Sequence, residues 1–399
     1  LRLVDALFNN QRVVLRSTPF KQLDVQLADG SLLTLSHRQD GDILKLEYAL
    51  ETPDHKRHHW LEEPLNPRIA RLPLSVIEHE IPDLERIGPQ MWRSVRTQQV
   101  LDLEDVFSVY GESVPYLHSA RHELEKPKWL ADVLKSVSVR HIEAQRLLRI
   151  GDAPVLQEHR RAPAWSVTVD AYAKDLAAAI KSKLAESAAL SQSLDRTFPQ
   201  RLVYSGPNDV FAEPELLSRL NKVEEHRSRL IEAGLLDPQH EPPFQVPVLS
   251  EHERRVLSVW VRDVETKLGV YDELASKIDL LKQIINEHFR FKVAEIDKEH
   301  GFVFRTAGQT VLPPASLSSG EQHELVLLYE LLFKVKEDAL VLIDEPELSL
   351  HVEWQLRFLS DLSSILKLAP FDVLIATHSP QIINDRWDLT VKLADPQYP

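Results

Sequence analysis

The chain has 399 residues, room for two or three domains at roughly 150 residues each, and carries 47 Lys and Arg against 61 Asp and Glu, a formal net charge of −14. That balance excludes a whole-molecule basic field, so any nucleic-acid contact is left to a local patch. The lack of cysteine excludes a disulfide framework, thiolate metal sites and a cysteine nucleophile, and fits a reducing compartment. The sequence shows no apolar run long enough to span a bilayer and no charged-then-apolar leader, so it reads as a soluble, cytoplasmic chain. Glycine is scarce, with 11 residues against about 7% in average usage. The chain opens on Leu1, and its one methionine is Met91.

In chain order, Leu1 to Asn10 reads as the end of an amphipathic helix with Leu3, Leu7 and Phe8 on one stripe. Alternation from Arg12 to Glu51 indicates antiparallel strands, with Asp29-Gly30 as a hairpin turn. Pro53, Pro64, Pro67, Pro73, Pro82 and Pro89 then separate short helical pieces. Val137 to Leu148 reads as a buried strand ending in polar residues. Ala171 to Leu194 is alanine-rich, glycine-free and helical, stopping near Pro199. Glu213 to Leu236 gives a second charged helix ending at Gly234. Val264, Leu268, Tyr271, Leu274, Ile278, Leu281 and Ile285 recur at near-heptad spacing. The segment up to about Phe289 therefore reads as a helical arm with coiled-coil character or, equally, as an ordinary helical subdomain. Strands return from Phe291, followed by a helix from Ser318, a strand at Ala339 to Ile343, a helix around His351 to Leu366 and a strand at Asp372 to Thr377. That order indicates a parallel α/β sheet. The expected division is 1–165, a first part of an α/β head with an antiparallel β subdomain; 166–290, the helical insertion; and 291–399, the rest of the head.

Three short segments carry the chemistry. In ALVLIDEPE, an apolar run places Asp344 and Glu345 at the C-terminal end of a buried parallel strand, where open α/β sheets bind ligands. Asp344 would hold Mg²⁺ through a coordinated water, and Glu345 would orient and deprotonate the water attacking a γ-phosphate. The competing account is a strand that simply ends at an acidic turn with Pro346. In LSSGEQ (Leu317, Ser318, Ser319, Gly320, Glu321 and Gln322), the Ser318–Glu321 spacing is that of a capping box. A helix start bearing small residues also suits a phosphate, with Ser318 Oγ and the Gly320 N–H as contacts. In LIATHSPQII, His378 lies just past another buried strand, within reach of a γ-phosphate or the attacking water; a structural role is the alternative.

LSSGEQ, IDEPE and ATHS, in that order within about sixty residues, resemble the signature motif, Walker B with its catalytic glutamate, and histidine switch of the ABC-type ATPase superfamily. DEPELSLH, with His351 at its end, resembles the branch containing the SMC and DNA-repair ATPases and the OLD-like ATPases. The motif set covers about the last eighty residues; the arm and the hairpin region extend the likeness loosely. The resemblance implies ATP and Mg²⁺ as ligands and a glutamine that senses Mg²⁺, for which Gln145 is the candidate and Arg146 a weaker one. It also implies a phosphate loop, GxxxxGK[ST], yet the sequence has no Gly-Lys pair. LRLVDALF resembles the helix into which such a loop opens in this superfamily, so the loop is expected just upstream of Leu1; a degenerate, non-hydrolysing ATPase is the rival account.

In this superfamily the signature helix caps nucleotide held by a partner, implying a dimer or higher assembly with composite sites. The chain resembles ATPases of bacterial anti-phage defence systems of the PARIS (AriA-like) and Septu (PtuA-like) types, which implies ATP-dependent assembly gating a separate effector such as a nuclease. The alternatives are an SMC-like repair or chromosome ATPase acting on DNA, which predicts long coiled coils and basic surfaces, and a transporter subunit. The clusters His55 to His59 and His159 to Arg161 are the candidate DNA or partner contacts.

Overall fold

The computed structural model describes residues 1–40, 43–62, 81, 84–89, 91–94, 100–103, 105–106, 126–150, 155–157, 160–162, 165–206, 209–238 and 249–391. Helices α1 (Arg2–Phe8) and α2 (Arg12–Ser17) lead into an antiparallel meander of β1 (Gln22–Gln26), β2 (Leu32–Asp40), β3 (Ile43–Glu51) and β4 (Arg57–Leu61). A second antiparallel sheet holds β5 (Leu84–Gly88), β6 (Met91–Ser94) and β7 (Val100–Asp102). Helix α3 (Lys128–Ser136) precedes β8 (Val139–Ile142); then β9 (Leu148–Ile150) pairs with β12 (Trp165–Val167), and β10 (Val155–Gln157) with β11 (Arg160–Ala162). The helices α4 (Thr168–Tyr204), α5 (Glu213–Glu232), α6 (Glu251–Gly269) and α7 (Asp272–His288) come next. After them run the antiparallel strands β13 (Lys292–Asp297), β14 (Gly301–Thr306) and β15 (Val311–Leu312). The chain closes with α8 (Ser319–Tyr329), which widens into a π-turn over Glu330–Lys334, then β16 (Leu340–Asp344), α9 (Val352–Leu368), β17 (Asp372–Ala376) and α10 (Pro380–Ile383).

These elements form two units. The first comprises Leu1–Ser166, Val335–Leu348 and Pro370–His378. Its core gathers Ala6, Leu7, Leu15, Leu33, Leu35, Leu46, Tyr48, Leu130 and Leu342, joining α1, α2 and α3 to one face of the meander and to β16. Each such leucine contributes about 1.5–3 kcal/mol on burial. The expected turn closes β1 onto β2: the Asp29 carboxylate accepts from the Ser31 N–H (2.8 Å), and the Leu27 N–H donates to the Ser31 carbonyl (2.8 Å). A parallel three-stranded sheet, ordered β17–β16–β8, completes the unit. Helix α1 is fastened to that sheet by polar contacts. Asp5 accepts from Asn9 (2.7 Å) and Gln11 (2.8 Å) and faces His141 Nδ1 at 3.7 Å, while Asn9 also donates to the Val139 carbonyl. Burial opposes ionisation of Asp5, but hydrogen bonds from His141, Asn9 and Gln11 outweigh it and hold the carboxyl below its ordinary range.

Two expectations change here. Where the proline-punctuated stretch is described, it forms the strands β4, β5 and β6 and not helical pieces, because cross-strand pairing outweighs short-range helix signals; residues 63–80 lie outside the described residues. Pro64, Pro67, Pro73 and Pro82 lie outside the described residues. The expected strand at Val137 to Leu148 is shorter, ending at Ile142.

The second unit comprises Val167–Lys334, Ser349–Ala369 and Ser379–Pro399. Helix α4 buries Val169, Tyr172, Ala173, Leu176, Ala177 and Ile180, a stripe at three- and four-residue spacing. Past Ile180 no residue of α4 is buried. The helix does not stop near Pro199, as its sequence suggests, but runs through it to Tyr204. Proline removes one backbone hydrogen bond there. Arg201 braces the turn by donating to the Leu194 carbonyl (2.7 Å) and forking onto Asp263 of α6. The near-heptad stripe is split by the turn Val270–Tyr271; its seven residues are all buried, two on α6, Tyr271 in the turn and four on α7. Aromatic stacking links α4 to α8: Tyr172 lies 4.6 Å from Tyr329, whose hydroxyl donates to Asp175.

Gly301 opens β14 at φ +77°, and a Cβ there would lie 1.9 Å from the Ala173 carbonyl oxygen. Gly301→Ala is expected to destabilise the second unit by at least about 2 kcal/mol, combining left-handed strain with overpacking. Urea unfolding followed by circular dichroism checks it; an unchanged midpoint would show that strand and helix are not in this close contact.

Candidate functional site

Parallel strands feed the site. β16 buries Val341, Leu342 and Ile343 completely, as a central parallel strand must, and its register pairs Ile343 with both Ile142 of β8 and Ile375 of β17. The three strands thus end at one sheet edge, the edge at which open α/β sheets take ligands. Asp344 is the last residue of β16, half-buried, with no hydrogen-bond or ion-pair partner among the described residues. Glu345 comes next at φ +43°, a conformation that costs a side-chain-bearing residue about 1–3 kcal/mol. Its N–H donates to the Ala376 carbonyl at 2.9 Å, and the Leu348 N–H closes the turn on the Glu345 carbonyl at 3.0 Å. Glu347 Oε1 accepts the His378 N–H at 2.8 Å.

These contacts bring Glu345 and His378 together, with Nε2 3.6 Å from Oε1. That spacing is too long for a direct hydrogen bond and leaves both side chains able to contact one water lying beside them. The imidazole is 90% exposed and the carboxylate 40%, so both are open to a substrate. Gln145 lies three residues past the end of β8, at the same edge of the sheet, with an exposed side chain.

Leu317–Gln322 belong to the second unit. Leu317 is buried, and Ser318 is the N-cap of α8 in a full capping box. Ser318 Oγ accepts from the Glu321 N–H, and the Ser318 N–H and hydroxyl both donate to Glu321 Oε2 at 2.8 Å. Lys292 grips the two Glu321 oxygens at 2.8 and 2.7 Å. Burial raises the Glu321 pKa, but the bonds from Lys292 and Ser318 prevail and lower it. Gln322 Nε2 donates to the Ala315 and Leu317 carbonyls. The Ser318 hydroxyl is thus engaged within the cap. The helix start presents to a ligand its first-turn N–H groups and exposed Ser319. Gly320 is required by close approach: a Cβ would fall 2.7 Å from the Ser349 carbonyl oxygen.

Behind that helix lies a buried ionisable group. His288 of α7 hydrogen-bonds Glu324 of α8 through Nδ1 and faces Asp361 of α9 through Nε2 at 3.4 Å, with Trp354 stacked on the imidazole at 5.9 Å. Burial opposes the imidazolium, but the hydrogen bond and charge of Glu324, with the charge of Asp361, raise the His288 pKa. Burial drives Asp361 up to about 6 against the pull of His288 and Arg357.

Sequence reasoning ranks Arg146 below Gln145 and passes over Glu347, yet both are built into the edge. Arg146 is 7% exposed and donates to the Pro346 carbonyl at 3.2 Å. The basic run at His55–His59 is paired: Lys56 with Asp54, Arg57 with Glu51, His59 with Glu47, while His58 stacks on Trp129. It therefore offers little net field to a phosphate backbone. Of the second basic cluster, His159 and the side chains of Arg160 and Arg161 lie outside the described residues.

A parallel sheet with a carboxylate pair and a histidine at its C-terminal edge, and a capped small-residue helix ahead of it in the chain, defines a P-loop-type ATPase domain. The chain belongs to the family described as "AAA domain, putative AbiEii toxin, Type IV TA system", whose model matches residues 112–384. Among solved structures, it is similar to the Smc head domain with an extended coiled coil bound to the C-terminal domain of ScpA, from Pyrococcus furiosus. The identity is 11%, the TM-score 0.29, and the match covers 95% of this chain and 80% of that one. No curated protein matches the sequence. Among the described residues no helix is long and apolar enough to cross a membrane.

The raised carboxyl behind α8 sets a pH dependence. Asp361 holds its proton more tightly when folded, so its contribution is present below about pH 4 and lost as pH rises to about 6. The raised pKa of His288 acts in the same sense at higher pH. Asp361→Asn should melt with the parent near pH 3.5 and above it at pH 8, by up to about 2 kcal/mol after allowance for solvent screening. Thermal melts across pH check this; equal melts at pH 8 would count against it.

Proposed function

We propose that the chain binds and hydrolyses ATP at composite sites between copies of itself, as an ATPase of the SMC/ABC type. The observation that carries this reading is the pairing of Glu345 with His378 at the C-terminal sheet edge. Glu345 accepts the proton of a water lying beside it and His378 as that water attacks the γ-phosphorus, and the bond to the ADP oxygen breaks. His378, mostly exposed, donates to the transferred phosphoryl group or holds the water in line. Asp344, half-buried and unpartnered among the described residues, fits one Mg²⁺, a cation commonly held by one or two carboxylates plus phosphate oxygens and water. Bound there, Mg²⁺ would neutralise charge developing on the phosphate oxygens. Gln145, beyond the end of β8, is the residue to sense that ion. Leu317–Gln322 of a second copy would cap the nucleotide through helix N–H groups.

The assembly would gate a separate effector, a nuclease or toxin, in bacterial anti-phage defence. The family's description, which names a putative toxin of a toxin–antitoxin system, supports this reading. The net charge of −14 and the pairing of the basic run at His55–His59 favour protein partners over the alternative of an SMC-like ATPase acting on DNA.

The test uses the full-length protein. Glu345→Gln should cut the turnover number by at least about 100-fold while leaving ATP bound. Asp344→Ala should weaken Mg²⁺-dependent nucleotide binding. Normal hydrolysis by Glu345→Gln would remove Glu345 from its role as base. Sedimentation with a non-hydrolysable ATP analogue should show association, and an unchanged monomer would overturn the composite site.

A further inference from the structure

We infer that Arg146 and Glu347 form a positioning clamp that sets His378 against Glu345, an inference that rests on the ATPase reading. Arg146 lies four residues past the end of β8 and reaches 200 positions along the chain to the turn after β16. Nη2 donates to the Pro346 carbonyl at 3.2 Å, and the guanidinium charge is attracted to Glu347. Glu347 in turn accepts the His378 N–H at 2.8 Å. A relay thus runs from the end of β8, through the turn after β16, to the segment just past β17. It joins the ends of all three strands of the sheet.

The charge of Arg146 matters as well as its shape. Its side chain is buried, with Nε and Nη1 lacking partners among the described residues, so Glu347 is its compensating charge. Conversely, Glu347 keeps a half-buried carboxylate aimed at a backbone N–H because a cation lies behind it. Charged acceptors make the stronger hydrogen bonds. Remove the guanidinium, and the turn that carries Glu347 loses its brace at the Pro346 carbonyl, which loosens the hold of the carboxylate on the His378 N–H. Glu345 keeps its own tie to Ala376, so the two catalytic side chains lose their mutual spacing while the strand pairing survives. Neither Arg146 nor Glu347 touches the reacting atoms; both act through His378.

The test compares Arg146→Gln, Arg146→Lys and Glu347→Gln in the complete gene product. Arg146→Gln and Glu347→Gln should each lower kcat about 10–100-fold, with the KM for ATP within about threefold, the pattern of misplaced catalytic groups in an intact binding site. The double variant should be no slower than the worse single one, and Arg146→Lys should restore part of the rate. The second readout is independent of turnover: in protein labelled with ¹⁵N-histidine, the His378 amide proton should move upfield in both neutral variants, at an unchanged melting temperature for Glu347→Gln. A parental kcat or an unmoved His378 amide in Glu347→Gln would overturn the clamp. If Arg146→Gln does not fold, Glu347→Gln and Arg146→Lys decide. A parent protein without ATPase activity whose His378 amide still moves in Glu347→Gln would sink the ATPase reading and leave the clamp standing.

Discussion

Two hydrogen bonds between the turn after β16 and the end of β17 hold the candidate site. The Glu345 N–H on the Ala376 carbonyl extends the strand pairing by one residue, and the His378 N–H on the Glu347 carboxylate extends it again. Parallel strands alone would align Asp344 with Ala376 and leave the residues beyond them free to diverge. With both bonds made, the Glu345 and His378 side chains come within 3.6 Å of each other. The apolar run Val341–Ile343 contributes by being buried on both faces, so the strand cannot slip without exposing one face or burying a charge.

The same logic places the buried charges of the first unit. Arg12 and Glu62, both almost fully buried, pair at 3.0 Å, and Asp5 collects donors from α1 and the strand beside it. Removing one partner from such a pair costs far more than the pair contributes, so these contacts fix geometry more than they add stability. They tie α1 to the parallel sheet and α2 to the end of β4. In the second unit, the His288 cluster does the corresponding work for the helix that begins at Ser318.

Much of this was legible from local pattern. Alternation gave the meander and its Asp29-Gly30 turn, and apolar runs ending in charge gave β16 and β17 and hence the edge they share. The capping box was readable from Ser318 and Glu321 alone. The features that escaped depend on contacts distant in sequence. Nothing near Pro199 announces that Arg201 and Asp263 will carry the helix past it, and nothing near Arg146 shows that its guanidinium will reach Pro346. The heptad-like spacing was real as a buried stripe, but periodicity does not say where a helix breaks, and Val270–Tyr271 divides it. The use of Ser318 was also hidden: its hydroxyl satisfies its own helix, and only the backbone of that turn is left to meet a ligand.

The conformation of Glu345 argues for chemistry over structure at this edge. A turn needing φ near +43° is most cheaply made with glycine, or with asparagine or aspartate, whose short side chains tolerate the left-handed region. A glutamate there carries strain of about 1–3 kcal/mol and, being 40% exposed, gains little of it back from packing. Its backbone N–H would bond Ala376 equally well from glycine. Glycine could not supply a carboxylate held 3.6 Å from an imidazole at the open edge of a parallel sheet. The strain is maintained by contacts that do not involve the carboxylate: the Ala376 bond and the turn closed by Leu348. The fold thus holds the backbone and leaves the Glu345 carboxylate at the open edge of the sheet, beside His378.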